Sequence, residues 1–230
     1  MNRKKKSALL VIDLQNDFCT GGPIEIPHFL SIIPVINRIR NRFDVVVFSK
    51  DWHPVDHMSF VDNGGRWPPH CIQSTNGANI HPAVDITDKD YIIHKGTDSN
   101  YDAYSAFYNS KEIGSKSALH RILDENDVNN LYVCGIGAEY CVYSTLLDAI
   151  RNKHANYKCY LVKDATVGLD DDKIQRCYMR LQKLGVRIVR ADDIQWNCGS
   201  CSWPFVYRCC LTTSLLSNSF VVYKKLINSI

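Results

Sequence analysis

Six short apolar runs alternate along the chain with longer stretches whose apolar positions recur every three or four residues. The runs cover residues 8–12, 45–49, 91–94, 131–134, 157–162 and 187–189, and their length and composition predict strands. The periodic stretches predict helices over 29–42, 117–125, 139–152 and 171–184. Short strands that are apolar on both faces and separated by helices point to a parallel sheet covered on both sides. Right-handed crossovers then give a three-layer α/β/α sandwich around a central, mostly parallel sheet. In such sheets, sites form at the carboxyl ends of strands. Asp13, Asp51, Lys95 and the turn before Cys141 all fall there, so four useful groups are expected on one rim.

Two segments do not follow the alternation. Residues 56–88 carry Gly64-Gly65 and Trp67-Pro68-Pro69 with little helical or strand pattern. A loop this long in a compact domain is read as functional, because it carries His57 and His70. From about Gln195 the α/β pattern stops, and Cys198, Cys201, Cys209 and Cys210 cluster. The expected division is an α/β domain over 1–194 and an atypical Cys-rich extension over 195–230. Cys198-Gly199-Ser200-Cys201 has no second pair at ligand spacing, which argues against a zinc site there.

Composition narrows the classes. The chain has 230 residues, enough for one domain with a sizeable core. A net charge of +3 is too small to argue for nucleic acid or a membrane surface. Ten cysteines are many, yet Cys134, Cys141, Cys159 and Cys177 sit inside predicted elements. Free thiols in a reducing compartment are expected, hence a cytoplasmic or nuclear location. The basic N-terminus precedes an apolar run that is too short for a signal peptide and ends at Asp13. No stretch is long enough to span a bilayer. The expected partner is a small molecule.

The candidate chemistry begins at Gly135-Ile136-Gly137-Ala138-Glu139-Tyr140-Cys141. Here a glycine-rich turn puts a cysteine just inside a helix, after an apolar strand. The helix dipole and free backbone N–H groups favour the thiolate, the nucleophilic form. The same N–H groups could hold an oxyanion. A buried structural cysteine is the alternative. Asp51-Trp52-His53 follows a strand, so positions i and i+2 point the same way. With His70 they make three mixed N/O ligands with open positions, suited to Zn, Fe or Mn in catalysis. His57 is close enough to be a fourth ligand or to support the others. Asp13, a carboxylate at the end of a buried strand, has its pKa raised by desolvation and becomes a usable base. Asp17 fits a loop-capping role better. Lys95 would keep Asp13 ionised and stabilise negative charge near the thiol.

Together these stretches resemble the nicotinamidase branch of the isochorismatase-like cysteine hydrolases. The likeness rests on Val11-Ile12-Asp13-Leu14-Gln15-Asn16-Asp17-Phe18, Asp51-Trp52-His53-Pro54, Trp67-Pro68-Pro69-His70-Cys71, His94-Lys95-Gly96 and 135–142, in order, and it covers about 7–193. The resemblance implies a triad of Cys141, Asp13 and Lys95. It implies one divalent metal held by Asp51, His53 and His70, with zinc first and iron or manganese also admitted. His57 matches a position that is a ligand in some members only. The ring-binding aromatics map onto Phe18, Trp67, Tyr104 and Tyr140. The backbone N–H groups of Gly137 and Cys141 map onto the oxyanion turn, and a cis peptide is expected between Ile136 and Gly137. Gly137 stands where alanine or valine is usual. The implied reaction converts nicotinamide to nicotinate and ammonia through a thioester, as in NAD salvage. Members are often dimers or larger. Isochorismatases proper lack the cysteine and the metal set, and carbamoyl-amide hydrolases generally lack the metal histidines. Two alternatives stay open: another small amide or carbamoyl substrate, or a silent member disabled by its tail.

Overall fold

The computed structural model describes residues 5–109, 117–152 and 157–194. The 195–230 extension and its four cysteines lie outside the described residues. Six strands form one sheet: β1 (Lys6–Ile12), β2 (Val45–Asp51), β3 (Tyr91–Lys95), β4 (Val128–Ile136), β5 (Lys158–Val167) and β6 (Arg187–Val189). Their order is β3-β2-β1-β4-β5-β6, and every pairing is parallel. Four helices connect them: α1 (Phe29–Arg40), α2 (Ala118–Glu125), α3 (Cys141–Arg151) and α4 (Asp171–Lys183). This is the expected α/β/α sandwich.

The side-chain period of two sorts β1 between the layers. Ala8, Leu10 and Ile12 pack with α2, α3 and α4 on one face, while Leu9 and Val11 pack with α1 on the other. All five are fully buried. The edge strands depart from this rule. Tyr91 and Ile92 of β3 are exposed, because an outermost strand is not covered throughout its length. Strand β5 runs five residues beyond its apolar stretch. Polar Lys163 and Asp164 interrupt the pattern, but a register irregularity carries the pairing on to Gly135 with Thr166 and Ile136 with Val167.

Topology places the site. From β1 the chain builds outward through β2 and β3, then returns to lay β4 on the other side of β1. The carboxyl ends of β1 and β4 therefore flank a switch point, where parallel sheets open a crevice. Helix α3 starts two residues later than the sequence pattern suggests. Tyr140 is non-helical (φ −122, ψ −94), so Cys141 is the first helical residue. Residues 56–88 contain only a short 3-10 turn at Val61–Asn63 and isolated bridges, as expected of a loop. No helix among the described residues is long and apolar enough to cross a membrane.

Candidate active site

Lys95 ends β3 and is 1% exposed. Its ammonium lies 2.9 Å from Asp13 Oδ2, 2.5 Å from Asp51 Oδ1 and 3.4 Å from Cys141 Sγ. Three strands contribute to this one contact. The register of β2 with β3 pairs Asp51 with Lys95, and Asp13 sits at the end of neighbouring β1. Asp13 adopts a left-handed conformation (φ 55) that aims its side chain into the crevice floor, where Oδ1 accepts a 2.6 Å bond from Ser49 Oγ. The thiol of Cys141 and the Asp13 carboxylate meet the same Lys95 ammonium and line the same cavity.

The electrostatics separate the two carboxylates. Burial pushes Asp13 up to about 6, against the opposing pull of Lys95. Burial would raise Asp51 as well, but Lys95, His53 and His70 outweigh it and hold the group at about 2. The Cys141 thiol is pushed well up, first by burial and then by the two carboxylates, although Lys95 pulls it down. The sequence reading set the helix N-terminus and Lys95 on the side of the thiolate, with Asp13 as the group that takes its proton. A helix N-terminus lowers a thiol pKa modestly, whereas desolvation beside two carboxylates outweighs it. The raised thiol and the raised Asp13 carboxyl lie on one ammonium, which suits a proton passing between them.

Asp51, His53 and His70 bring one ligand atom each to within 4.8 Å of one another, and all three residues are buried. Their hydrogen bonds fit a metal. His53 Nδ1 donates to Gly96 O at 2.9 Å, and His70 Nδ1 donates to Pro68 O at 2.8 Å. A carbonyl can only accept, so each Nε2 keeps its lone pair. Burial lowers His53 to about 4 and lowers His70 too, which keeps both rings neutral. Neutral imidazoles with the second nitrogen anchored, beside an ionised carboxylate, suit a divalent ion. Gly96 is required here. Its φ is +63, and a Cβ would come within 2.4 Å of the His53 ring.

His57 stands beside the candidate ligand group of Asp51, His53 and His70. Its Nε2 donates to Tyr101 O at 3.2 Å, and its one ring lone pair, on Nδ1, accepts from Ser59 Oγ at 2.7 Å. It lies against the His53 ring, 4.1 Å between centroids. His70 reaches the site because the loop is pinned. His53 N donates to Cys71 O, Gln73 N donates to His53 O, and Asp17 Oδ2 accepts the Cys71 N–H at 2.7 Å.

The turn after β4 also differs from expectation in one respect. The Ile136–Gly137 peptide is trans, and Gly137 carries a left-handed φ of +70 instead. A glycine takes that conformation freely, so the chain turns there without a cis bond. Among the described residues the N–H groups of Gly137 and Cys141 donate to no protein acceptor, whereas Ala138 N donates to Val167 O. Gly137 and Cys141 both line the cavity.

That cavity is walled by Phe18, Trp67, Tyr104 and Tyr140, the four aromatics singled out from sequence. Trp67 Nε1 donates to Tyr104 Oη at 3.0 Å. Tyr140 stacks on Tyr104 and meets Trp67 edge-on. Ile24, Ile26, Asp102, Ala103 and Leu169 also line the walls and were not foreseen, and Ile136 joins them from the end of β4. Nothing in their own stretches marks the first five, since such residues look alike in loops until the chain folds. Gln15 was also missed as a site residue. Its buried amide brackets the backbone of Asp51, donating to Asp51 O at 2.7 Å and accepting from Asp51 N at 2.7 Å. Its position two residues after Asp13 was the available signal.

Comparison with known proteins agrees with this geometry. The isochorismatase domain model matches residues 7–193. The nicotinamidase of Acinetobacter baylyi is 33% identical over 211 residues, spanning 84% of this chain and 97% of its own length. The nicotinamidase/pyrazinamidase of Mycobacterium tuberculosis is 32% identical over 188 residues, covering 79% and 97%. The crystal structure of the pyrazinamidase of Pyrococcus horikoshii in complex with zinc superimposes with a TM-score of 0.73 at 36% identity, covering 80% of this chain and 99% of that one. With its sheet order, its crevice and the match over most of its length, the chain belongs to the isochorismatase-like hydrolase family.

Proposed function

We propose that this protein is a metal-dependent cysteine amidohydrolase that converts nicotinamide to nicotinate and ammonia, a step of NAD salvage. The observation that carries the reading is the Lys95 ammonium, which touches Asp13, Asp51 and Cys141 at once. It joins a nucleophile–base pair to a ligand set on one wall of an aromatic cavity. The nicotinamidases and the zinc-bound pyrazinamidase among its relatives favour this substrate class and favour zinc over iron or manganese.

Asp51, His53 and His70 would hold a divalent ion, which would supply Lewis acidity toward a ring nitrogen of the substrate. The aromatic walls hold the planar ring, which places the carboxamide over Cys141 and makes attack effectively unimolecular. Asp13 accepts the thiol proton as Sγ bonds to the amide carbon. The N–H groups of Gly137 and Cys141 face the developing oxyanion, where one donor is worth about 3–4 kcal/mol. Asp13 returns its proton to the leaving nitrogen, and ammonia departs. Asp13 then draws a proton from water as it attacks the thioester, and nicotinate and the free thiol result. Lys95 balances the negative charge that passes between Asp13 and sulfur.

The test is ammonia release from nicotinamide by purified protein, before and after metal stripping. Release that vanishes on stripping and returns with zinc is the expected result. Hydrolysis of other small amides but not nicotinamide would move the protein to a different substrate. Folded, metal-loaded protein that hydrolyses none of them would be a silent member of the family.

A further inference from the structure

Glu139 lies within the nucleophile turn, two residues before Cys141, yet nothing in the reaction above uses it. It is only 8% exposed. Its Oε1 accepts two backbone N–H bonds, from Leu169 and from Asp170, both at 2.9 Å. Its Oε2 is buried without a partner. A buried, half-satisfied carboxylate is costly, and an apolar residue would avoid that cost. What the carboxylate gains is a grip on the turn between β5 and α4.

That turn forms part of the cavity. Leu169 lines the same pocket as Cys141, but it is 39% exposed and belongs to neither core cluster. Side-chain packing therefore does little to hold Leu169, and the backbone bonds to Glu139 hold it instead. Gly168 allows the approach. A Cβ there would sit 2.1 Å from Glu139 Oε2 and 3.1 Å from Ala138 N. Ala138 N also donates to Val167 O at 3.0 Å, a second tie between the same two turns.

We propose that Glu139 is a positioning residue that fixes the Leu169 wall against the nucleophile turn, and so sets how a planar amide sits over Cys141. The kinetic part of this inference rests on the amidohydrolase reading, whereas the structural part does not.

The experiment compares the metal-loaded full chain with its Glu139→Ala, Glu139→Gln, Leu169→Ala and doubly substituted (E139A, L169A) variants. Ammonia release and amide hydrogen exchange over 167–171 are both followed. Loss of the carboxylate is expected to raise KM about tenfold while kcat stays within about threefold. Gln keeps the accepting oxygen and should rescue KM to within about threefold of the wild type. In the Leu169→Ala background, Glu139→Ala should add less than about twofold, because both act on one wall. The Leu169 and Asp170 amides should exchange at least about tenfold faster in Glu139→Ala but not in Glu139→Gln.

A fall in kcat at unchanged KM overturns the proposal, as does full additivity with Leu169→Ala. If Glu139→Ala does not fold, Glu139→Asp serves. Its side chain is one methylene shorter, so it should show the same rise in KM, and an unchanged KM overturns the idea. If the wild type releases no ammonia from nicotinamide, the proposed reaction fails. The exchange data still decide the structural part, and equal exchange in wild type and Glu139→Ala sinks it.

Discussion

Lys95 is a cation tethered among three groups that would otherwise repel one another. The second potential ligand cluster among the described residues, Asp13, Asp51 and Cys141, is the set its ammonium touches. Its ammonium already neutralises that cluster, which leaves Asp51, His53 and His70 as the candidate metal ligands. Lys95→Met leaves two buried carboxylates without their partner, so metal-free protein should lose about 3–5 kcal/mol of stability, read by urea denaturation. Asp13 also sets the expected pH response. With its carboxyl near 6, kcat/KM should fall as pH drops through about 6, because the protonated form cannot accept the thiol proton. An acid limb centred near 4 would mean that the base is another group. The same shift has a sign for folding. The Asp13 pKa is raised above its ordinary 3.8, so its contribution to stability is present below 3.8 and is lost as pH rises through about 6. Asp51 acts in the opposite sense. Its contribution is present above 3.8 and is lost as pH falls through about 2. His57 gives a sharper contrast. His70→Ala should abolish tight zinc binding, whereas His57→Phe should weaken it by about 10–100-fold, as loss of a supporting contact does. Competition with a chelator separates the two.

At the scale of elements, strands deliver the triad and loops deliver the rest. Strand register alone puts Asp51 beside Lys95, and it cannot slip without turning every buried side chain to the wrong face. The 56–88 loop has no such constraint, so its placement depends on a few bonds. Asp17 is chief among them, since one oxygen holds the Cys71 N–H and the carboxylate packs on Gly77, where a Cβ would come within 2.1 Å. Asp17→Ala should therefore cost about 1–3 kcal/mol, the penalty of leaving that N–H unsatisfied. It should also weaken zinc binding through His70, although it touches neither metal nor substrate. Unchanged metal affinity would show that the loop holds His70 without this bond. Gly96→Ala tests the other end of the site. It should weaken zinc binding at least about tenfold by displacing the His53 ring.

At the scale of the molecule, the sheet's switch point is what makes one site from distant segments. Asp13, Asp51, His70, Lys95 and Cys141 converge only because β1 is flanked by β2 on one side and β4 on the other. A metal bound by the folded chain alone should stabilise it by about 2.7 kcal/mol at a hundredfold excess over Kd, and chelation should lower Tm accordingly. The apolar runs were enough to reveal six strands and four helices, since periodicity is local and each element carries its own. They also placed Asp13, Lys95 and Cys141 at strand ends, where parallel sheets build sites. Local pattern could not show that the thiol is pushed up, because that follows from burial and from carboxylates far away in sequence. It could not show that Tyr101 and Ser59 meet the two nitrogens of His57. Nor could it assign Leu169 to the cavity or Glu139 to its support. The sequence by itself determined the elements and the kinds of chemistry available. Tertiary structure alone decided which groups touch, and therefore which are charged, which are ligands and which only hold others in place, because desolvation and hydrogen-bond partners are properties of contacts between segments that the folded sheet brings together.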